Sequence, residues 1–182
     1  MRPLLLIGAG GHGKVVAETA IASGNFSRIN FVDDRWNGPG QMQPVLDWPV
    51  IGPLEQALQQ ETRQQFPEAL VTIGNANLRL KWIQRLAAFG YQLPVLIHSK
   101  AWVSPSAQIG PGSVVFAQAA VQAEVQIRSG AILNTSCSVD HHTQLEEGVH
   151  ICPGAHLAGE VQVGARSWIG IGCSVIEQVC IG

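Results

Sequence analysis

The sequence predicts a chain of two parts, a small Rossmann-like parallel α/β domain over residues 1–95 and an all-β parallel solenoid over residues 96–182. Near the start, a short apolar run leads straight into a glycine-rich turn, as in a strand–turn–helix unit. From Ile97 onward an aliphatic residue returns at every sixth position, which is typical of a repeat architecture. The 182 residues are 46% hydrophobic and only 13% charged, against ~25% charged in an average soluble protein, so few faces are solvated.

Charge and hydropathy make some partners and locations unfavourable. The chain has 11 Lys and Arg against 13 Asp and Glu, a net charge of −2, and no basic run, so nucleic acid is not favoured as a partner. We expect no membrane span, because no apolar stretch approaches ~18 residues, and no signal peptide, because the opening apolar run stops at Gly8. Four cysteines without CxxC spacing favour reduced thiols and a cytoplasmic location.

The first predicted elements form a unit suited to binding phosphate. Residues 4–7 read as a strand, Gly8-Ala9-Gly10-Gly11-His12-Gly13 as a turn, and residues 14–22 as a helix. Such a turn lets backbone N–H groups and the helix N-terminus approach a phosphate. The next strand, 29–32, ends in Asp33-Asp34, about twenty residues beyond the turn, where a ribose or base would lie. The alternative is a tight turn that holds no ligand.

The rest of the first domain continues to alternate strands and helices. We expect extended residues at 50–51, a helix over 53–60, a strand over 69–73 that ends at Gly74-Asn75, a helix over 77–89 and a strand over 93–97. Ninety-five residues are too few for the two βαβαβ halves of a dinucleotide site, so the turn favours a mononucleotide or a nucleotide-sugar. A solenoid offers no nicotinamide pocket, so an NAD-dependent dehydrogenase is the weaker interpretation.

The six-residue repeat determines the second part. The aliphatic positions are Ile97, Val103, Ile109, Val115, Val121, Ile127, Leu133, Val139, Leu145, Ile151, Leu157, Val163, Ile169, Val175 and Ile181. A small or β-branched residue follows four positions later, so we expect triangular coils in which residue i stacks under residue i+18 and both kinds of side chain point inward. Glycines are expected at turns with positive φ, namely Gly110, Gly112, Gly130, Gly148, Gly154, Gly164 and Gly170. Cys137 and Cys173 occupy small-residue corners and are interpreted as structural.

Titratable side chains cluster on one stretch of the solenoid. Asp140-His141-His142 follows the aliphatic Val139, and Glu146-Glu147, His150 and His156 come next. A histidine that points outward there could act as a general base at a groove between subunits. One alternative is a solvated turn with incidental histidines. A zinc site of His141, His142 and His150 is less favoured, because adjacent histidines on extended backbone point to opposite sides.

Together these motifs resemble the NeuD/PglD family of sialic acid O-acetyltransferases and UDP-4-amino-sugar N-acetyltransferases. The matching segments run through the whole chain: Gly8 to Gly13, Asp33-Asp34, Ile73-Gly74-Asn75, Leu96-Ile97-His98, Val103 to Ala107, Asn134-Thr135-Ser136 through His141 to His150, and Ala158-Gly159. The resemblance implies a left-handed parallel β-helix, acetyl-CoA as co-substrate, no metal, and a homotrimer with active sites between adjacent β-helices. It also implies an N-terminal domain that holds the nucleotide-sugar substrate.

The resemblance also implies roles for single residues. His141 matches the general base, and His150 matches a histidine that reaches the acetyl-CoA thioester from the neighbouring subunit. Gly159 and Ile171 match backbone contacts to acetyl-CoA, where an N–H could stabilise the oxyanion. Matches to the nucleotide-sugar site are Gly10, Gly11, His12, Asp33, Asp34, Gly74 and Asn75.

The sequence departs from the family pattern at two places. Some members have an acidic residue directly after the base, whereas this chain has His142, so Asp140 or another group is expected to tune His141. Members also continue for about another coil and a cap, whereas this sequence stops at Gly182 in the middle of a hexapeptide. We therefore expect a C-terminally truncated β-helix with an incomplete acetyl-CoA groove.

The function predicted from these residues is acetyl-CoA-dependent N-acetylation of a nucleotide-linked 4-amino sugar, with UDP or a similar nucleotide, in bacterial surface-glycan biosynthesis. One alternative is an O-acetyltransferase acting on sialic acid or a related sugar. The other is a non-catalytic trimer that binds a nucleotide-sugar.

Overall fold

The computed structural model describes residues 2–38 and 42–182. Contacts between Cα atoms divide the chain into two compact units, one that ends at Pro94 and one that runs Val95–Gly182. None of the helices in the described ranges combines the length and the apolar character that crossing a membrane would require.

The first unit is a small parallel α/β fold, as the sequence predicts. Its elements are β1 Arg2–Ile7, α1 Gly11–Ala22, β2 Phe26–Val32, a 3-10 helix Leu54–Leu58, α2 Gln60–Gln65, β3 Glu68–Val71 and α3 Ala76–Phe89. The three strands form a parallel sheet in the order β2-β1-β3. Residues 4–7 of the central strand are fully buried, which explains their continuous apolar run, since a parallel strand is covered on both faces.

Several boundaries in this unit differ from the sequence-based expectation. Helix α1 begins at Gly11, three residues early, because the second half of the glycine turn is already helical. The helix expected over 53–60 is wrong: a 3-10 helix ends at Leu58, Gln59 is extended, and α2 begins at Gln60. The sequence of α2 is polar and has no apolar periodicity from which a helix could be predicted.

The predicted strand 93–97 is also corrected. Only Leu96–Ile97 is extended, and it pairs with Val114–Val115 of the solenoid rather than with the first sheet. Gln92 makes an isolated bridge to Glu68, and Val50 makes one to Phe31, so the first sheet keeps three full strands.

The second unit is a parallel β-solenoid of about five turns, consistent with a left-handed β-helix. Each hexapeptide supplies one two-residue strand, and the strands stack into three sheets of five. The strands are β4 Leu96–Ile97, β5 Trp102–Val103, β6 Gln108–Ile109, β7 Val114–Val115, β8 Ala120–Val121, β9 Gln126–Ile127, β10 Ile132–Leu133, β11 Ser138–Val139, β12 Gln144–Leu145, β13 His150–Ile151, β14 His156–Leu157, β15 Gln162–Val163, β16 Trp168–Ile169, β17 Ser174–Val175 and β18 Cys180–Ile181. Leu133 pairs with Val115 and Ile151, which confirms the register of eighteen residues.

The aliphatic and small positions of the repeat form the solenoid core. Leu133 is fully buried, and so is Ala131 at the corner before it. Cys137 is buried at an equivalent corner, and burial raises the pKa of its thiol to about 12, so it remains a protonated, unreactive thiol. The core of the solenoid is narrow, so one aliphatic side chain from each strand and one small side chain from each corner fill it.

One residue of every hexapeptide from 112 to 178 has left-handed φ. These residues are Gly112, Gln118, Glu124, Gly130, Ser136, His142, Gly148, Gly154, Glu160, Arg166, Gly172 and Gln178. The expectation of positive φ is therefore met at Gly112, Gly130, Gly148 and Gly154, and is wrong for Gly110, Gly164 and Gly170. Gly110 is required for space instead, because a Cβ there would lie 2.6 Å from the backbone N of Ser129 in the next coil.

Leu133→Ala should destabilise the solenoid by about 2–5 kcal/mol, because truncating a fully buried leucine leaves a cavity between stacked coils that cannot collapse. Urea unfolding followed by far-ultraviolet circular dichroism measures the loss. Gln144→Ala changes an exposed strand position and should stay within about 0.5 kcal/mol. Equal losses in the two variants would contradict this description of the core.

Candidate functional site

The loops after the three strands of the first sheet carry the predicted nucleotide residues. Because β1, β2 and β3 are parallel, their carboxyl ends meet at one edge of the sheet. Gly10 follows β1, Asp33 follows β2, and Gly74 follows β3. In open parallel sheets, ligands bind outside this edge. The fold therefore gathers the three predicted segments at the edge where a ligand would bind.

The glycines of the first turn have different physical roles. A Cβ on Gly13 would lie 2.5 Å from the carbonyl oxygen of Gly8, so this glycine is required by packing. A Cβ on Gly10 or Gly11 would meet nothing within 4 Å. Gly10 is the N-cap of α1 and makes no side-chain cap, and His12 lies half-buried in the first helical turn. The open space in front of Gly10 and Gly11 leaves the backbone accessible to a ligand.

Asp33 ties the glycine turn to the end of β2. Its Oδ2 accepts a hydrogen bond of 2.7 Å from the N–H of Ala9, and the Arg35 guanidinium forms an ion pair with it at 2.8 Å. Partial burial alone raises the pKa of the Asp33 carboxyl, but the hydrogen bonds from Arg35 and Ala9 outweigh it and lower the pKa to about 2. Asp33 is thus a charged carboxylate that holds the turn in place.

The other predicted residues of this edge also shape their own loops. Asp34 accepts a hydrogen bond of 3.0 Å from the N–H of Leu54. Asn75 is the N-cap of α3 and accepts from the N–H of Leu78 at 3.0 Å. The carbonyl of Gly74 accepts a 2.7 Å hydrogen bond from Arg79, a buried arginine that the sequence analysis missed because it lies among the residues of a helix face. Burial lowers the pKa of the Arg79 guanidinium to about 10, where it still carries its charge at neutral pH.

Asp140, His141 and His142 form one exposed corner of the solenoid. The Oδ1 of Asp140 accepts a hydrogen bond of 2.8 Å from the N–H of His141. The Nδ1 atoms of His141 and His142 lie 3.0 Å apart, and the ring centroids 5.2 Å apart. His142 has φ of 60°, so the pair lies in a turn rather than on extended backbone, and the expectation that the rings point to opposite sides is wrong. The Nε2 of His142 forms an ion pair with Glu124 at 2.9 Å.

Gly159 lies against the imidazole of His141, one coil further on. A Cβ on Gly159 would come within 2.5 Å of Cε1 and 2.7 Å of Nε2 of that ring. No other residue type fits there without moving the ring, because these distances are shorter than any van der Waals contact. Gly159 therefore packs directly against His141 and limits where its ring can lie.

His150 belongs to a different face of the solenoid. Its strand β13 stacks between β10 and β16, whereas His141 lies between β11 and β12. The ring of His150 packs on the indole of Trp168, with centroids 4.5 Å apart, and its Nε2 lies 3.1 Å from the side-chain nitrogen of Asn134.

Asn134 belongs to a segment that resembles the family, but the sequence analysis assigned it no role. Its Oδ1 accepts from the N–H of Thr135 at 2.8 Å, which directs the amide nitrogen to His150. The Nε2 of His150 is then an acceptor. Asn134 and Asp140 hold the same position in successive hexapeptides, directly after Leu133 and Val139, and both cap the next N–H. That shared position was the available signal.

Ile171 lies in a turn near the end of the chain and is 79% exposed. Trp168, on the same coil, is 65% exposed. Both apolar side chains are largely exposed in the single chain. Within the part of the chain that the structure describes, no group of three or more His, Cys, Asp or Glu side chains is placed to hold a metal ion.

Comparison with known proteins identifies relatives of this chain. The model of the PglD N-terminal domain matches residues 3–86. A UDP-N-acetylbacillosamine N-acetyltransferase from Bacillus subtilis is 34% identical over 119 residues, which are 64% of this chain and 52% of that protein. The chain thus spans about half the length of this curated relative.

Solved structures cover the chain more fully. The acetyltransferase domain of PglB from Neisseria gonorrhoeae is 46% identical with a TM-score of 0.92, over 99% of this chain and 85% of that chain. The same domain in complex with acetyl coenzyme A gives 41% identity and a TM-score of 0.85, over 100% and 96%. A perosamine N-acetyltransferase from Caulobacter crescentus, a histidine-to-asparagine mutant in complex with CoA and GDP-perosamine, is 36% identical with a TM-score of 0.89. The match covers 100% of this chain and 83% of that chain.

A parallel α/β unit with an open glycine turn, followed by a hexapeptide solenoid with exposed histidines, defines the class of hexapeptide-repeat sugar acyltransferases. Within that class, the chain belongs to the NeuD/PglD-like family.

The pKa of Asp33 predicts an acid-dependent loss of stability. Its folded pKa of about 2 lies below the ordinary value of 3.8, so the carboxylate contributes stability above about pH 4 that is lost as the pH falls towards 2. Urea unfolding at several pH values should show a shallower decline in this window for Asp33→Asn than for the unmodified protein. The exposed Asp47→Asn serves as the control and should keep the full decline.

Gly159→Ala should rotate the imidazole of His141 away from its present position, since the added methyl group would overlap it. Crystal structures of the variant and of the unmodified protein measure the change. Gly170→Ala is the matched control, because its Cβ would meet only the Cys173 sulfur, at an ordinary contact distance of 3.5 Å. An unmoved His141 ring in Gly159→Ala would refute the packing argument.

Proposed function

We propose that this chain transfers the acetyl group of acetyl-CoA to the amino group of a nucleotide-linked 4-amino sugar, carried by UDP or a similar nucleotide. The observation that carries the proposal is the exposed imidazole of His141, seated on Gly159 and held through its Nδ1 by His142. In this proposal the Nε2 of His141 is the base. The relatives that bind CoA, acetyl-CoA and GDP-perosamine support the two substrate classes.

In the proposed reaction, the sugar amine attacks the carbonyl carbon of the thioester. The Nε2 of His141 takes the proton that the nitrogen loses as the new C–N bond forms. The tetrahedral intermediate then expels the thiolate of coenzyme A, and the protonated His141 returns a proton to it or to solvent. General base catalysis of this kind requires an accessible imidazole that is neutral at the working pH.

Two backbone N–H groups are candidates to stabilise the developing oxyanion, that of Gly159 beside His141 and that of Ile171 between β16 and β17. The ladder between coils uses the N–H of other residues in each hexapeptide, and no hydrogen bond from the N–H of Gly159 or Ile171 occurs in the described ranges. Ala158 and Gly170 precede them and have no side-chain acceptor of the kind that Asp140 supplies to His141. Either N–H could therefore donate to a thioester oxygen, and the exposed Trp168 could cover the apolar part of acetyl-CoA.

We further propose that the active site forms between two copies of the chain in a homotrimer. His141 and His150 lie on different faces of the same solenoid, so a site that uses both requires the second from a neighbouring copy. The exposed Ile171 and Trp168 are suited to such an interface. We also propose a cytoplasmic location and a role in bacterial surface-glycan biosynthesis, which suit the proposed substrates, acetyl-CoA and a nucleotide-linked sugar.

In the first unit, we assign the carboxyl edge of the sheet to the nucleotide. Gly10 and Gly11 offer open backbone to a phosphate, and the N-terminus of α1 favours negative charge there. Asp33 is engaged by Ala9 and Arg35, so its part is to hold the turn, and Asp34 is the carboxylate more available to a ribose.

His141→Ala should reduce acetyl transfer by about 100- to 10,000-fold, the usual cost of losing a general base. Mass spectrometry of reactions with acetyl-CoA and a panel of UDP- and GDP-linked 4-amino sugars measures the product. His156→Gln is the control, because His156 bonds Ser138 on the solenoid surface and should keep normal turnover.

The same panel distinguishes the other functions. Product on sialic acid but on no amine would assign O-acetylation, and calorimetric binding of a nucleotide-sugar without any product would assign a binding protein. Unchanged turnover in His141→Ala would refute the role given to this residue.

A further inference from the structure

We propose that Glu124 and His142 form a relay that fixes the tautomer of His141, so that its Nε2 is the basic nitrogen. The inference rests on the proposed role of His141 as the general base. It concerns Glu124, which lies eighteen residues before His142 in the sequence. Only the stacking of coils brings Glu124 to this corner. In this scheme Glu124 and His142 are positioning residues.

The relay is built on a column of equivalent turn positions. Glu124 and His142 both have φ of 60° and are separated by one coil, so their side chains leave the solenoid in the same direction. The N–H of Glu124 donates to Ser106 at 3.1 Å, and the N–H of His142 donates to the Ala123 carbonyl at 3.1 Å. These bonds hold both backbones, and the side chains then meet at 2.9 Å.

The hydrogen-bonding chemistry of the three groups selects one proton arrangement. An ionised carboxylate only accepts, so the Nε2 of His142 must carry a proton towards Glu124. In a neutral imidazole the Nδ1 of His142 is then a lone-pair acceptor. The Nδ1 of His141, 3.0 Å away, must therefore carry the proton between the rings. His141 is left with its lone pair on Nε2, the atom beside Gly159.

The same chain of bonds accommodates the proton taken from the substrate. When Nε2 of His141 binds that proton, the ring becomes an imidazolium whose Nδ1–H still donates to His142. The Nε2–H of His142 still donates to Glu124, whose negative charge lies at the far end of the chain. No bond in the relay has to break, and the net charge of the three groups changes from −1 to 0.

Other carboxylates lie near the relay. Glu160 occupies the next position of the column and accepts from Gln178 at 3.1 Å, and Asp140 bonds the N–H of His141.

Kinetics of Glu124→Gln test the relay. An amide can donate to Nε2 of His142, which favours the opposite tautomer, so kcat should fall roughly tenfold or more, the usual cost of removing the group that orients a functional histidine. KM for acetyl-CoA should be unchanged.

Two further variants separate the relay from a general electrostatic effect. Glu160→Gln removes a carboxylate from the same column and should leave kcat within twofold. In His142→Glu, a carboxylate accepts directly from Nδ1 of His141 and takes the place of the relay, so adding Glu124→Gln to this variant should cause no further loss of kcat. Equal losses for Glu124→Gln and Glu160→Gln, or additive losses in the double variant, would overturn the proposal.

Nitrogen NMR of the six histidines measures their tautomers independently of enzyme activity. Spectra of His141→Gln and His142→Gln assign the signals of these two residues. Above the pH at which both rings are neutral, we expect the Nδ1–H form for His141 and the Nε2–H form for His142, and a mixture in Glu124→Gln. The Nδ1–H form for His142 in the unmodified protein overturns the relay. The expected tautomers together with full turnover in His141→Ala would instead refute the proposed function and leave the relay standing.

Discussion

Pairing between coils at an offset of eighteen residues is the constraint on which the solenoid and its chemistry depend. Each strand is only two residues long, so none is stable alone, and the backbone bonds and buried aliphatic residues of neighbouring coils supply the stability. The same offset determines which surface residues meet. Glu124 reaches His142, and Gly159 reaches His141, because each pair is separated by one coil of eighteen residues.

The left-handed turn residue in each hexapeptide determines how neighbouring side chains on the solenoid surface are oriented. A non-glycine residue in that conformation costs roughly 1 kcal/mol or more, and the bond from its N–H to the previous coil offsets the cost, as at His142. The conformation turns consecutive side chains towards each other. In the corner of His141 and His142, it brings two Nδ1 atoms to 3.0 Å, which two residues of an extended strand cannot do.

Periodicity predicted the solenoid from the sequence because its core repeats at every sixth residue, and the turn after β1 was equally visible. The partner of His142 was not predictable, since Glu124 differs from other turn residues only through the side chain one coil away. The contact of Asn134 with His150 was not predictable for the same reason, because it crosses between hexapeptides. In the first unit, α2 lacks apolar periodicity, so only the packed structure defines it.

Glycines separate structural from functional requirements, because the space in front of each one can be measured. At Gly13 and Gly110 a Cβ would strike backbone, so the fold itself excludes other residues. At Gly10 and Gly11 a Cβ would strike nothing, so stability does not explain why the turn keeps two bare residues. Gly159 differs from both kinds, because the atoms that a Cβ would strike belong to an exposed imidazole that could otherwise turn freely. A glycine that constrains a solvent-facing histidine contributes little to folding, and its physical effect is to limit where the basic nitrogen can lie.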